Sequence, residues 1–233
     1  MRCHFMAAAG CVMFLVSSAA LAQDGALSGF YARLEGGVSF PEKLTQDLTF
    51  NPSVAFPIAP PATQTVDART GYAAGGAIGR RLGNGFKAEL EYRFQSSKID
   101  SVVLNGGAVV SGPIFPNVSL AAHFLMPNLI YEFRNSSPLT PFIGVGVGGA
   151  RIRSSLGAGN AADTDFTLAY QGRAGLAFAV GEATRLGVEY VYVRSGELHY
   201  GPRNFTPTGS IGPQISGASF AASTVLISFE KAF

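Results

Sequence analysis

The stretch Phe86-Lys87-Ala88-Glu89-Leu90-Glu91-Tyr92-Arg93-Phe94-Gln95 changes character at every step. Phe86, Ala88, Leu90, Tyr92 and Phe94 are apolar, and Lys87, Glu89, Glu91, Arg93 and Gln95 between them are charged or polar. Successive side chains on a β-strand point to opposite faces, so a strand here has one oily face and one charged face. A helix would mix the two sets around its surface. The period of two therefore predicts a strand.

The same rhythm recurs on either side. Phe30, Ala32, Leu34, Gly36, Val38 and Phe40 alternate with Tyr31, Arg33, Glu35, Gly37 and Ser39. Gly71–Arg81 places Tyr72, Ala74, Gly76 and Ile78 on one face. Ser119–Phe133 ends with Leu129, Tyr131 and Phe133 opposite Asn128, Ile130 and Glu132. Pro141–Ile152 sets Ile143, Val145 and Val147 against Gly144, Gly146 and Gly148. Asp165–Phe178 sets Phe166, Leu168, Tyr170, Ala174, Leu176 and Phe178 against Thr167, Gln171, Arg173 and Gly175. Arg185–Ser195 sets Leu186, Val188, Tyr190 and Tyr192 against Gly187, Glu189 and Val191. Ala218–Phe233 carries Val225, Ile227, Phe229 and Phe233 on one face. That makes eight segments, each long enough to supply the roughly 9 to 11 residues a tilted strand needs to cross a bilayer.

The connections alternate in length. Long segments near 41–70, 97–118 and 196–217, and a medium one at 153–164, take turns with short ones at 82–85, 134–140 and 179–184. Hairpins that cross a membrane in turn have short periplasmic turns and longer outer loops. In that arrangement Phe40, Tyr72, Phe94, Phe166 and Tyr192 fall at the outer rim. Phe30, Phe86, Phe133, Phe178 and Phe233 fall at the periplasmic rim. Two aromatic girdles are a barrel feature. The predicted fold is all-β, an eight-stranded antiparallel up-and-down transmembrane β-barrel with both termini in the periplasm.

Composition agrees. Only 14% of residues are charged, while 29 glycines and 13 prolines punctuate the chain. A soluble domain has about 25% charged residues. Arg2 and His4 precede an apolar run from Phe5 to Val16, and the small-residue site Ala20-Leu21-Ala22 follows. This layout is a secretory signal peptide over 1–22, cleaved after Ala22, which leaves a barrel over 23–233. Cys3 and Cys11 both lie in the leader, so the mature barrel is expected to hold no disulfide. Loss of the leader takes Arg2 from the 17 basic residues and none of the 15 acidic ones, leaving 16 against 15. That near balance gives no footprint for nucleic acid.

Gly29-Phe30-Tyr31-Ala32, Gly71-Tyr72-Ala73-Ala74-Gly75-Gly76-Ala77-Ile78-Gly79 with Ala88-Glu89-Leu90-Glu91-Tyr92, and Pro141-Phe142-Ile143-Gly144-Val145-Gly146 resemble the opacity/surface-antigen family of small outer-membrane barrels. These are of the same general, porin-like type as the barrel half of OmpA. The resemblance spans nearly all of the mature chain. It implies a Gram-negative cell outer membrane, a surface antigen role, and membrane lipid and lipopolysaccharide as surroundings. It also implies a last strand read by the barrel-assembly machinery. Val225, Ile227, Phe229 and Phe233 match that assembly signal, and Lys231 departs from it.

Arg33, Glu35, Lys87, Glu89, Glu91, Arg93, Glu132, Arg173, Glu189 and Glu230 fall on the inward face. Eight strands leave an interior just wide enough for side chains. These residues are therefore expected to fill the lumen as paired charges rather than line an ion pathway. The glycines of 71–79 and 144–149 sit in strand patterns with no helix after them. They are expected to make room for lumen side chains rather than cradle phosphate. His123, expected at the rim, and His199, expected in a loop, have neither a neighbouring nucleophile nor a third group. Catalysis, a metal and a cofactor are accordingly not expected.

The long segments carry apolar clusters: Leu48, Phe50, Val54, Phe56 and Ile58 in one, Val102, Val103, Leu104, Val109, Val110, Ile114 and Phe115 in another. Such clusters either mark a contact surface for a host or cell-surface ligand or pack on one another. Three functional readings stand. The leading one is a surface barrel with a structural, antigenic or adhesive role carried by its loops. The others are a narrow channel or lipid-acting barrel enzyme, and a soluble lipocalin-like ligand carrier with its faces reversed.

Overall fold

The computed structural model describes residues 29–49, 62–104, 109–111, 119–155, 162–200 and 214–233. The strands are β1 (Phe30–Pro41), β2 (Leu44–Thr49), β3 (Ala62–Ala68), β4 (Gly71–Gly83), β5 (Phe86–Leu104), β6 (Val109–Ser111), β7 (Ser119–Glu132), β8 (Leu139–Ser155), β9 (Ala162–Ala179), β10 (Thr184–Tyr200) and β11 (Gln214–Ala232). Neighbours pair antiparallel in the ring β1–β4–β5–β7–β8–β9–β10–β11, and β11 closes back on β1.

The remaining strands lengthen this ring. β2 pairs with β3, and the two bridge β11 and β5 above β1 and β4. Pairing of the β1–β2 stretch with β11 keeps one register from Tyr31–Ala232 through Pro41–Ala222 to Thr49–Gln214. β1 and β2 are thus one long strand interrupted at Glu42 and Lys43. Pro41, which has no N–H to give to a ladder, stands at the break. The Glu42 N–H still donates to the Ala221 carbonyl at 2.8 Å, and the Arg69 N–H to that of Lys98 at 2.8 Å. β6 pairs with β5, with Ser101 opposite Ser111.

The tight turn at Asn84-Gly85 is of the hairpin kind the sequence announces. Asn84 has φ of 50° and Gly85 of 88°, the left-handed pair that a two-residue type I′ loop demands. The short connections at 133–138 and 180–183 lie at the same end. So do the first and last described strands, where the Phe233 N–H donates to the Phe30 carbonyl at 3.0 Å.

The strands run further than the apolar alternation suggests. β5 and β11 have 19 residues each. At about 3.3 Å per residue and a tilt near 40°, such a strand rises roughly 48 Å, against an apolar band of about 25 Å. Much of 41–70, expected as loop, is therefore strand, as are the inner ends of 97–118, 153–164 and 196–217. His199 corrects likewise. It lies in β10, exposed on the outward face, because β10 continues to Tyr200.

Inside and outside exchange character up the wall, as β5 shows. On β5 the outward residues run Phe86, Ala88, Leu90, Tyr92, Phe94, then Ser96, Lys98 and Asp100. The inward ones run Lys87, Glu89, Glu91, Arg93, Gln95, Ser97, then Ile99. Below the crossover the barrel is oily outside and ionic inside. Above it the surface is polar, as at Thr45, Asp47 and Thr49, and the interior is apolar. That upper core holds Leu44, Leu48, Val66, Leu120, Phe124, Met126, Ile152, Val193, Leu198 and Phe220, with Ile99 and Val102 packed against it. Leu48 and Val102 thus belong to an interior. For those two the self-packing reading holds, because the wall continues around them. Phe50, Val54, Phe56, Ile58, Ile114 and Phe115 lie outside the described residues, as do Ala20, Ala22 and the whole leader. So do the side chains of Leu104, Val109 and Val110.

Candidate functional site: the ionic lumen

The ten inward charged residues predicted from alternation come together in the lower lumen, all buried. They come from β1, β5, β7, β9, β10 and β11. Each projects inward because it holds the inward parity of its strand.

Two arginines organise the centre. The Arg33 guanidinium donates to Glu35, to Glu189 at 2.6 Å and to Glu89 at 2.7 Å. The Arg173 guanidinium donates to Glu89 at 2.7 Å, to Glu91 at 2.6 Å and, through two nitrogens, to Glu189. Glu35 also stands 3.6 Å from Arg173. Arg93 lies 3.2 Å from Glu91 and donates to the Gln171 amide oxygen. Toward the periplasm, Lys87 joins Glu132 at 3.2 Å and also bonds Glu230. Arg81 pairs with Glu230, and Arg185 with Glu132 at 2.8 Å.

Among the described residues the cluster is neutral. Arg33, Arg81, Lys87, Arg93, Arg173 and Arg185 face Glu35, Glu89, Glu91, Glu132, Glu189 and Glu230. A buried ion is costly unless paired and hydrogen-bonded, and forked guanidiniums satisfy several carboxylate oxygens at once.

Sequence reasoning missed several members. Tyr31 donates its hydroxyl to Glu89 at 3.0 Å, and the Lys87 ammonium sits 4.1 Å from the Tyr31 ring centre. The Asn128 amide donates to Glu91 at 2.9 Å, and Gln171 to Asn128 at 2.7 Å. Arg81 and Arg185 sit beside turns, where a charge reads as ordinary surface. The signal for Tyr31, Asn128 and Gln171 was their parity, which they share with the charges.

Glycines make this packing possible. A Cβ at Gly146 would lie 1.9 Å from the Asn128 side-chain oxygen. One at Gly144 would meet Ile130 at 2.9 Å and the Arg173 stem at 3.0 Å. One at Gly79 would lie 2.4 Å from the Tyr31 ring. β4 and β8 thus supply small residues against the long side chains of their neighbours.

A cavity of about 30 Å³ opens at the periplasmic mouth, lined by Lys87, Glu132, Phe142, Arg185 and Glu230 and floored by Arg33. It has room for a water or two. Above Arg93 the lumen holds Gln95, which donates to Thr224 at 3.0 Å, and then the apolar core.

The outward face is oily, opposite to a lipocalin's. Leu34, Ile78, Val145, Leu168 and Ile227 are all more than 60% exposed, which is tolerable only against lipid. Aromatics gather at both rims: Tyr72 and Phe94 at 5.9 Å, Phe94 and His123 at 4.9 Å, Phe86 and Tyr131 at 5.0 Å. His123 accepts or donates a bond with the Tyr92 hydroxyl at 2.8 Å. Val225, Ile227, Phe229 and Phe233 face outward on or just past β11, as does Lys231.

Solved structures share this architecture. Neisserial surface protein A matches with a TM-score of 0.52 and 14% identity, over 88% of this chain and 98% of that one. The outer membrane protein OprG of Pseudomonas aeruginosa matches with a TM-score of 0.59 and 13% identity, over 88% and 97%. At such identities they speak for the fold alone. No curated protein sequence matches. The family model described as "Outer membrane protein beta-barrel domain" matches residues 8–220. With strands that turn an oily face to lipid and ion pairs to the lumen, the chain is an outer-membrane protein belonging to that β-barrel family.

Proposed function

We propose that the protein is a non-enzymatic surface barrel, whose role is structural, antigenic or adhesive and is carried by its outer segments. The observation behind this reading is that protein side chains occupy both levels of the lumen. The lower level is a neutral ion-pair network and the upper level an apolar core. A neutral network offers no selectivity ring, and a packed apolar layer is a barrier to ions. The wall standing above the lipid carries the segments that join β2 to β3, β5 to β7, β8 to β9 and β10 to β11, where that role would lie. The expected partners are membrane lipid, lipopolysaccharide, the barrel-assembly machinery during insertion and a host or cell-surface ligand at the loops.

The test has two arms. Purified protein in planar bilayers should give no stable conductance steps. Intact cells should bind antibodies raised against residues 50–61 or 201–213. Steady single-channel conductance would replace this reading with the channel, and buried epitopes would remove the surface role.

A further inference from the structure

Just above the outer aromatic girdle, three cations stand together on the outward face of adjoining strands. Lys98 is on β5, and Arg151 and Arg153 are on β8; all three are exposed. β7 lies between them. Its register sets Lys98 opposite Ser119, and its other edge sets Ala121 opposite Arg153 and His123 opposite Arg151. β5 and β8 are about 10 Å apart across β7. The floor between the three long side chains is thus short residues, Ser119 and Ala121. His123 stands at the lower edge, and Arg151 lies 5.7 Å from the Phe166 ring centre.

These three differ from the cations of the neighbouring sector. Lys43 pairs with Asp67 at 2.9 Å, and Arg69 with Asp100, so the sector of β2, β3 and the β5 tip is neutralised. Asp100 is the carboxylate next above Lys98 on its own face, and Arg69 takes it. The carboxylate of Asp165 receives the backbone N–H groups of Phe166 and His199, both at 2.8 Å. Among the described residues, Lys98, Arg151 and Arg153 enter no ion pair.

The height matters as much as the charge. Phe94 is the last apolar outward residue of β5 below Lys98, which stands four positions above it. That places the three cations at the level of lipid headgroups rather than in acyl chains or bulk water. Arginine forks and a lysine point charge are the donors that bind phosphate oxygens.

We propose that Lys98, Arg151 and Arg153 form a site for a phosphate on the head of an outer-leaflet glycolipid, with the Phe94, His123 and Phe166 rings against the base of its acyl chains. The glycolipid is the phosphorylated lipid A portion of lipopolysaccharide. Its phosphates stand directly above the acyl layer, where the charges are. The site binds lipid and does not bear on whether the loops are adhesive.

The test uses the folded full barrel in neutral detergent. Native mass spectrometry reads binding of bisphosphorylated lipid A, enzymatically dephosphorylated lipid A and inorganic phosphate. Each cation near a charged lipid surface contributes enough that losing all three weakens binding roughly tenfold to a hundredfold. The K98Q/R151Q/R153Q protein should show that loss, keep its heat-shifted gel mobility, and match the dephosphorylated ligand on wild type. K43Q, whose partner Asp67 lies away from Lys98, should bind as wild type does. Added salt should weaken the wild-type interaction. Equal binding of the two lipids would overturn the site. So would a triple variant that binds like wild type, or complete displacement by equimolar inorganic phosphate.

Discussion

Replacing Arg173 by methionine is the sharpest probe of the lumen. The side chain is buried and donates to Glu89, Glu91 and Glu189. Methionine keeps the stem and removes the charge, leaving Arg33 as the cation bonded to all three of those glutamates. Removing one partner of a buried pair costs about 3–5 kcal/mol, since a charge stays behind unpaired. With a urea slope near 2 kcal/mol per M, the midpoint should fall by about 2 M. The chain has no tryptophan, so unfolding is read by heat-shifted gel mobility and circular dichroism rather than indole fluorescence. Adding Glu189→Gln to Arg173→Met restores neutrality. The pair should recover part of the loss, a positive coupling measured by the double-mutant cycle. An unchanged midpoint in the single variant, or strict additivity in the cycle, would refute the account of the network as one charge-balanced unit.

Three further outcomes follow from the same geometry. Arg93→Ala, which removes the contacts to Glu91 and Gln171, should lower the melting temperature in detergent; an unchanged value takes Arg93 out of the network. Gly146→Val should destabilise by about 1–3 kcal/mol in urea titrations, because its Cβ would lie 1.9 Å from the Asn128 oxygen; a neutral result would mean that β8 shifts freely. Deleting Phe233 should slow appearance of the folded band in pulse-labelled cells while leaving the melting point of purified protein near wild type, and normal assembly would set aside its part in the assembly signal.

Alternation made the lower barrel legible. On β1, Arg33 and Glu35 share parity with Tyr31 and Ser39, so their burial side follows once any one of them is placed. Period, loop rhythm and rim aromatics supplied the rest of the ring. The pairings were not legible. That Arg173 meets Glu89 and Glu91, more than 80 residues away, depends on strand tilt and stagger, which a one-dimensional pattern does not encode. Nor was the continuation of β1 into β2 readable. Pro41 and Lys43 look like loop, and Leu48 then reads as an exposed apolar residue in a proline-rich segment. A period-of-two count resumed after Lys43 would have kept Leu44, Gln46 and Leu48 in phase, and all three are buried.

The deeper reason for that miss lies in the solvent rather than the chain. Alternation says that two faces differ. It does not say which solvent each face meets. Within the bilayer the outer solvent is hydrocarbon, so the apolar set must face out and the polar set must find partners inside. Above the bilayer the outer solvent is water, and the ordinary rule of globular proteins returns. β5 crosses this boundary between Phe94 and Lys98 without changing its period, and only the assignment of faces reverses. The ionic network and the apolar core are therefore two answers to one constraint, divided by the height of the lipid. Polar residues at Ser96 and Ser97, on both faces at once, mark the crossing. At that height a side chain on either parity has water or a polar partner within reach, and neither face imposes a choice.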